Sequence, residues 1–72
     1  MMSRHDPETV FVVRDAECIA ETPAAIRVRA GDLAQDIWIP KSVLHDDSEV
    51  YESGTEGELV VMRWWAQKEG LL

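Results

Sequence analysis

Asp36-Ile37-Trp38-Ile39-Pro40-Lys41-Ser42-Val43-Leu44 carries the strongest strand signal in the chain and its clearest stop. Ile37, Trp38 and Ile39 are three consecutive residues of high β-propensity. Side chains alternate along a strand, so this run is apolar on both faces, the mark of a central strand or of one that covers a partner. Pro40 then removes a ladder donor and fixes φ, so regular pairing ends there. Lys41-Ser42 turns the chain, and Val43 and Leu44 return to the core as a short strand.

Upstream, Ala24 to Ala30 has the cleanest period of two. Ala24, Ile26, Val28 and Ala30 fall on one side and Ala25, Arg27 and Arg29 on the other, the pattern of a half-buried antiparallel strand. Gly31-Asp32 permits positive φ and closes a hairpin into a strand from Gln35 to Pro40. Thr22-Pro23 is the preceding turn. Before it, Thr9 to Val13 is a β-branched and aromatic run. Arg14-Asp15 reads as a bulge or a turn. Ala16 to Glu21 alternates again, either as a second strand or as the continuation of one long bent strand. Residues 1–8 are polar, with a Pro near their end, and read as a flexible tail ahead of a single domain over 9–72.

Downstream of Leu44 the composition changes. Residues 45–58 hold six carboxylates and two glycines, which predicts a solvated loop. Leu59 to Met62 is a last apolar strand, and Arg63 to Glu69 a short helix capped by Gly70 in the left-handed region, with Leu71 folding back. On that helix Trp64 and Trp65 point about 100° apart, so one faces the core and the other does not. The expected fold is mainly β: a small antiparallel barrel of four to five strands, SH3-like, Sm-like or OB-like, with a short C-terminal helix.

A chain of 72 residues makes one domain with a marginal core. Cys18 is the single cysteine, so no intrachain disulfide is available and a reducing compartment fits. No apolar run approaches the roughly 18 residues of a membrane span, and the N-terminus does not read as a signal peptide. The expected location is the cytoplasm, with no membrane partner.

The net charge of −7 disfavours an electrostatic grip on a nucleic-acid backbone, which needs clustered Lys and Arg. It favours basic partners. Three Trp in so short a chain are hard to bury in one small core, which points to a homo-oligomer or a protein partner.

His45, Asp46, Asp47 and Glu49 include plausible metal-ligand types, yet the alternating acids, central Gly and closing Glu of a Ca²⁺ loop are absent. The reading is therefore no metal and no cofactor. Asp46 with Asp47 or Glu49 lacks any evident substrate pocket for acid–base work. Cys18 with His45 is the available thiol–imidazole pairing, and Cys18 sits among alanines on an inward face, where a structural thiol is the simpler reading. No enzyme is expected. The residues expected to meet a protein partner are Trp38, Lys41, His45, Asp46, Asp47, Glu49, Trp64 and Trp65. An alternative surface for single-stranded nucleic acid or a nucleotide is Arg27, Arg29, Lys41 and Trp38, joined in space by Arg14 or Arg63. Against it stands pairing of those arginines with Glu17, Glu21 or Asp36 across strands.

The order of apolar strand, Pro, polar pair and apolar pair is similar to the place in small SH3-like barrels where the last strands are joined by one helical turn. More broadly, the stretch from Trp38-Ile39-Pro40-Lys41-Ser42 through His45-Asp46-Asp47-Ser48-Glu49-Val50, then Gly57-Glu58-Leu59-Val60-Val61 and Trp64-Trp65-Ala66 ending in Gly70-Leu71, resembles a set of short phage- and prophage-type proteins. That resemblance covers the last half of the chain and, more weakly, the strand from Ala24. It implies a bacterial or phage-infected cytoplasm, where small acidic proteins bind and block a host complex or accompany phage nucleic-acid metabolism. It brings no catalytic residues.

Overall fold

The computed structural model describes residues 9–71; the tail expected over 1–8 lies outside the described residues. Four strands form one antiparallel sheet: β1 (Val10–Glu21), β2 (Ala25–Ala30), β3 (Ile37–Pro40) and β4 (Glu56–Met62), in the order β3-β2-β1-β4. A single 3₁₀ turn, Lys41–Val43, follows β3, and the helix α1 (Arg63–Lys68) follows β4 directly.

β1 is one long bent strand, the second of the alternatives open for residues 9–21. Two irregularities bend it. Between Val13 and Ala16 the register against β4 slips, and Asp15 takes a positive φ of 55°, a left-handed conformation that Asp tolerates better than most residues. Between Cys18 and Ala20 the register against β2 slips again. Each bulge increases local twist, so β1 serves both β2 and β4 as their common neighbour.

Alternation over Ala25–Ala30 is as the pattern required, whereas Ala24, expected inward, is exposed because the bend after Thr22 extends through it. Ile26, Val28 and Ala30 are buried and Arg27 and Arg29 exposed. They join Val13, Ala16, Cys18, Ile39, Leu59 and Val61 on the inward face of the sheet. Val43, Val50, Trp65 and Ala66 complete the core from the 3₁₀ turn, the following loop and α1. The helix ends as expected: Gly70 takes φ 80°, its N–H donates to the Gln67 carbonyl at 3.2 Å, and the Leu71 N–H donates to the Ala66 carbonyl at 2.9 Å. These two bonds are the Schellman arrangement, with Leu71 packed against the core.

Several expectations are corrected. The sheet is not closed into a barrel, because β3 and β4 are its two edges. The return strand at Val43-Leu44 shrinks to a single bridge, Leu44 to Val61, since a turn begins at once, with the Ser48 N–H donating to the His45 carbonyl at 3.0 Å. β3 is an edge strand and not a central one, because the 3₁₀ turn carries the chain away from it. Gly31 does not use positive φ, so the β2–β3 connection closes without that freedom. The acidic stretch is only partly a solvated loop. Its first part, 44–50, docks along β4, with Ser48 and Val50 buried, and its end supplies the first residues of β4.

That docking follows a hydrogen-bond ledger. Glu58 and Val60 turn their outer N–H and C=O groups away from β1, and segment 44–50 meets all of them. His45 N–H donates to the Val60 carbonyl at 2.9 Å and Glu49 N–H to the Glu58 carbonyl at 2.8 Å. Ser48 Oγ accepts the Val60 N–H at 3.1 Å, and Glu49 Oε1 accepts the Glu58 N–H at 2.8 Å. A buried edge with unmet backbone groups would be costly, so this loop is a structural part of the sheet.

Candidate functional site

The residues singled out for contact divide into three places. On the outer face of the β2–β3 edge, Trp38 pairs in register with Arg27 and is 48% exposed. Beside it, Asp36 lies 3.5 Å from both Arg27 Nη2 and Arg29 Nε. The two arginines thus share one carboxylate on their own face, and β1 sets Glu17 opposite Arg29. Exposed pairs of this kind add little stability, but they leave less positive charge for a phosphate.

The second place is a surface hollow of about 430 Å³ lined by Lys41, Leu44, His45, Asp46, Ser48 and Tyr51. It brings together Lys41, His45 and Asp46 from the expected residues. Tyr51, 51% exposed, was not singled out from the sequence; its signal was position, since the inward Val50 before it turns Tyr51 outward by alternation. Lys41 is held at the rim by an ion pair to Glu21, Nζ to Oε2 2.6 Å, and Glu21 Oε1 also accepts the Ser53 N–H at 3.2 Å. The Lys41 ammonium, and after it the Ser53 N–H, hold the Glu21 carboxyl below the usual carboxylate range. His45 Nδ1 accepts the Asp47 N–H at 3.0 Å, which fixes the neutral ring as the tautomer with its proton on Nε2.

The third place is the outer side of α1. Trp64 is 57% exposed there and lines a smaller hollow of about 300 Å³ with Thr9, Met62, Arg63 and Gln67. Trp65 is 6% exposed and sits in the core, so it leaves the set of contact residues. Glu49 is also occupied structurally: its side chain folds over Gly57 and meets the Glu58 N–H.

Cys18 is buried, and its thiol donates to the Ala20 carbonyl at 3.2 Å. Burial, more than any other cause, pushes its pKa up, which keeps it protonated and poorly nucleophilic at neutral pH. His45 meanwhile lines the surface hollow with its own partner, so the two do not form a thiol–imidazole pair. Among the described residues no group of three or more His, Cys, Asp and Glu is placed to hold a metal ion, and no helix is long and apolar enough to cross a membrane. Comparison with protein-family models, curated proteins and solved structures found no match to the chain.

Proposed function

We propose that this domain is a non-catalytic protein-interaction module that meets a partner through exposed aromatic side chains and acidic surface. The observation that carries the reading is the position of Trp38. A strand apolar on both faces lies at the edge of the sheet and keeps its largest side chain half in water. Folding alone gives no return for that exposure, whereas a partner would bury it. Tyr51 and Trp64 add two more exposed rings, and the net charge of −7 favours a basic partner segment. A bacterial or phage-infected cytoplasm suits such a small acidic binder. The single helical turn between β3 and β4 supports reading the sheet as an opened relative of SH3-like barrels.

The alternative, a binder of single-stranded nucleic acid or a nucleotide through Arg27, Arg29, Lys41 and Trp38, is favoured by the Arg27–Trp38 register and weakened by the ion pairs of all three cations. An NMR titration separates the two. A Lys/Arg-rich peptide is expected to shift the Trp38 and Trp64 indole N–H signals and to do so less at high salt, while a single-stranded oligonucleotide leaves them in place. Shifts with the oligonucleotide and none with peptides would overturn the reading.

A further inference from the structure

The two sheet edges differ in kind. The outer N–H and C=O groups of Glu58 and Val60 on β4 are met by segment 44–50. On β3 the phase is set by Lys41, whose N–H donates to the Ala24 carbonyl at 2.8 Å. In an antiparallel pair the bonded positions alternate. With Ala25 opposite Pro40 and Ile26 opposite Ile39, Ile39 and Ile37 turn their backbone groups toward β2. Trp38 then directs its N–H and C=O to the open side, and Pro40 its C=O.

We propose that β3 pairs antiparallel with β3 of a second copy of this chain, with Trp38 opposite the partner's Trp38 on the twofold axis. The proposal rests on reading Trp38 as a contact residue and names what it contacts. In this register the groups on the open side are self-complementary. Trp38 exchanges N–H and C=O bonds with its counterpart. Pro40 lacks an N–H and needs only a donor opposite it, and Asp36, two residues before Trp38, supplies one at each end. The result is a sheet continuous across both copies, with an isologous interface.

Charge argues for a second copy at this edge and nowhere else on the sheet. Two chains of −7 repel, and Ile37–Pro40 contains no charged residue. Beyond it, the antiparallel register sets Asp36 of each copy opposite the uncharged Pro40 of the other, so no like charges face each other across the paired stretch. The strand is short, and an interface built on it falls below the roughly 800 Å² per partner of standard stable complexes. The dimer is therefore weak, in the range of about 10 μM to 1 mM, and gains from salt that screens the net charge.

Sedimentation equilibrium of the full chain tests this, from ~10 μM to ~1 mM, at low and moderate salt. The expected weight-average mass rises from 8.2 kDa toward twice that value, and more so with salt. Trp38→Lys, which sets like charges opposite each other on the axis, stays monomeric, while Ser53→Ala, in an exposed turn outside β3, associates as the unaltered chain does. A monomer throughout the range, or a Trp38→Lys chain that associates equally well, overturns the pairing. If the chain stays monomeric while a basic peptide still shifts the Trp38 indole signal, the pairing fails and the interaction-module reading stands.

Discussion

Ser48 Oγ accepts the Val60 N–H at 3.1 Å while donating to the Val50 carbonyl at 2.8 Å. One buried hydroxyl thereby ties the acidic stretch to β4, seals that edge of the sheet and leaves β3 as the edge open to another chain. Ser48→Ala removes the acceptor and leaves the Val60 N–H buried without its partner. The expected loss is about 1–3 kcal/mol in chemical denaturation, against no more than about 0.5 kcal/mol for Ser53→Ala on the exposed turn.

Gly57 is a second fixed point of the same seam. Its φ is +133°, and a Cβ there would collide with the folded-back Glu49 side chain. Gly54 also has positive φ, 91°, but open space around it. Gly57→Ala should therefore destabilise by about 2–4 kcal/mol, combining backbone strain with the lost Glu49–Glu58 bond. Gly54→Ala should cost only about 1 kcal/mol from strain. Equal losses in urea denaturation would show that the Glu49 contact adds nothing.

The adjacent tryptophans of α1 give a contrast of their own. Trp65 is in the core and Trp64 in water. Trp65→Ala is expected to cost about 3–5 kcal/mol, enough to unfold a domain of this size at modest denaturant. Trp64→Ala stays within about 0.5 kcal/mol. Intrinsic fluorescence quenching by acrylamide should weaken in Trp64→Ala, since an accessible ring is gone.

Glu21 links the end of β1 to the 3₁₀ turn through Lys41, and its carboxyl is held below the usual range. A depressed carboxyl means that the unfolded chain binds more protons as pH falls. The stabilisation from this pair is present above the ordinary carboxylate value, about 4, and disappears as pH drops through the lowered folded value. Glu21→Gln should flatten that part of the acid limb in denaturation midpoints measured against pH. The effect is small, because both side chains are solvated. An unchanged acid limb would show that the pair is not formed in solution.

Most of the strand and helix plan is written locally. The period of two and the Gly70-Leu71 cap each depend on near neighbours, and the structure has them where the pattern put them, except that the strand begins at Ala25 and leaves Ala24 exposed in the bend before it. Ile37-Trp38-Ile39 was legible as a strand but not as an edge, because its neighbours are decided by where the 3₁₀ turn sends the chain. The docking of 44–50 was hidden for another reason. Ser48 and Glu49 read as solvated polar residues, and their partners on β4 lie about ten residues away in sequence. Of the contact residues, Lys41, His45 and Asp46 do share a hollow. The Trp64-Trp65 choice was set by helix phase, which the sequence left two ways open.

Backbone hydrogen exchange at residue resolution, in dilute solution, tests most directly the claim that one sheet edge is sealed and the other is held open for a partner. Val60 should exchange slowly because Ser48 Oγ holds its N–H, and Ile39 slowly through its pairing with β2. Trp38, between residues that bond inward, should exchange near the rate of an unprotected amide. A Trp38 amide as protected as that of Ile39, or a Val60 amide as fast as that of Trp38, would contradict the account.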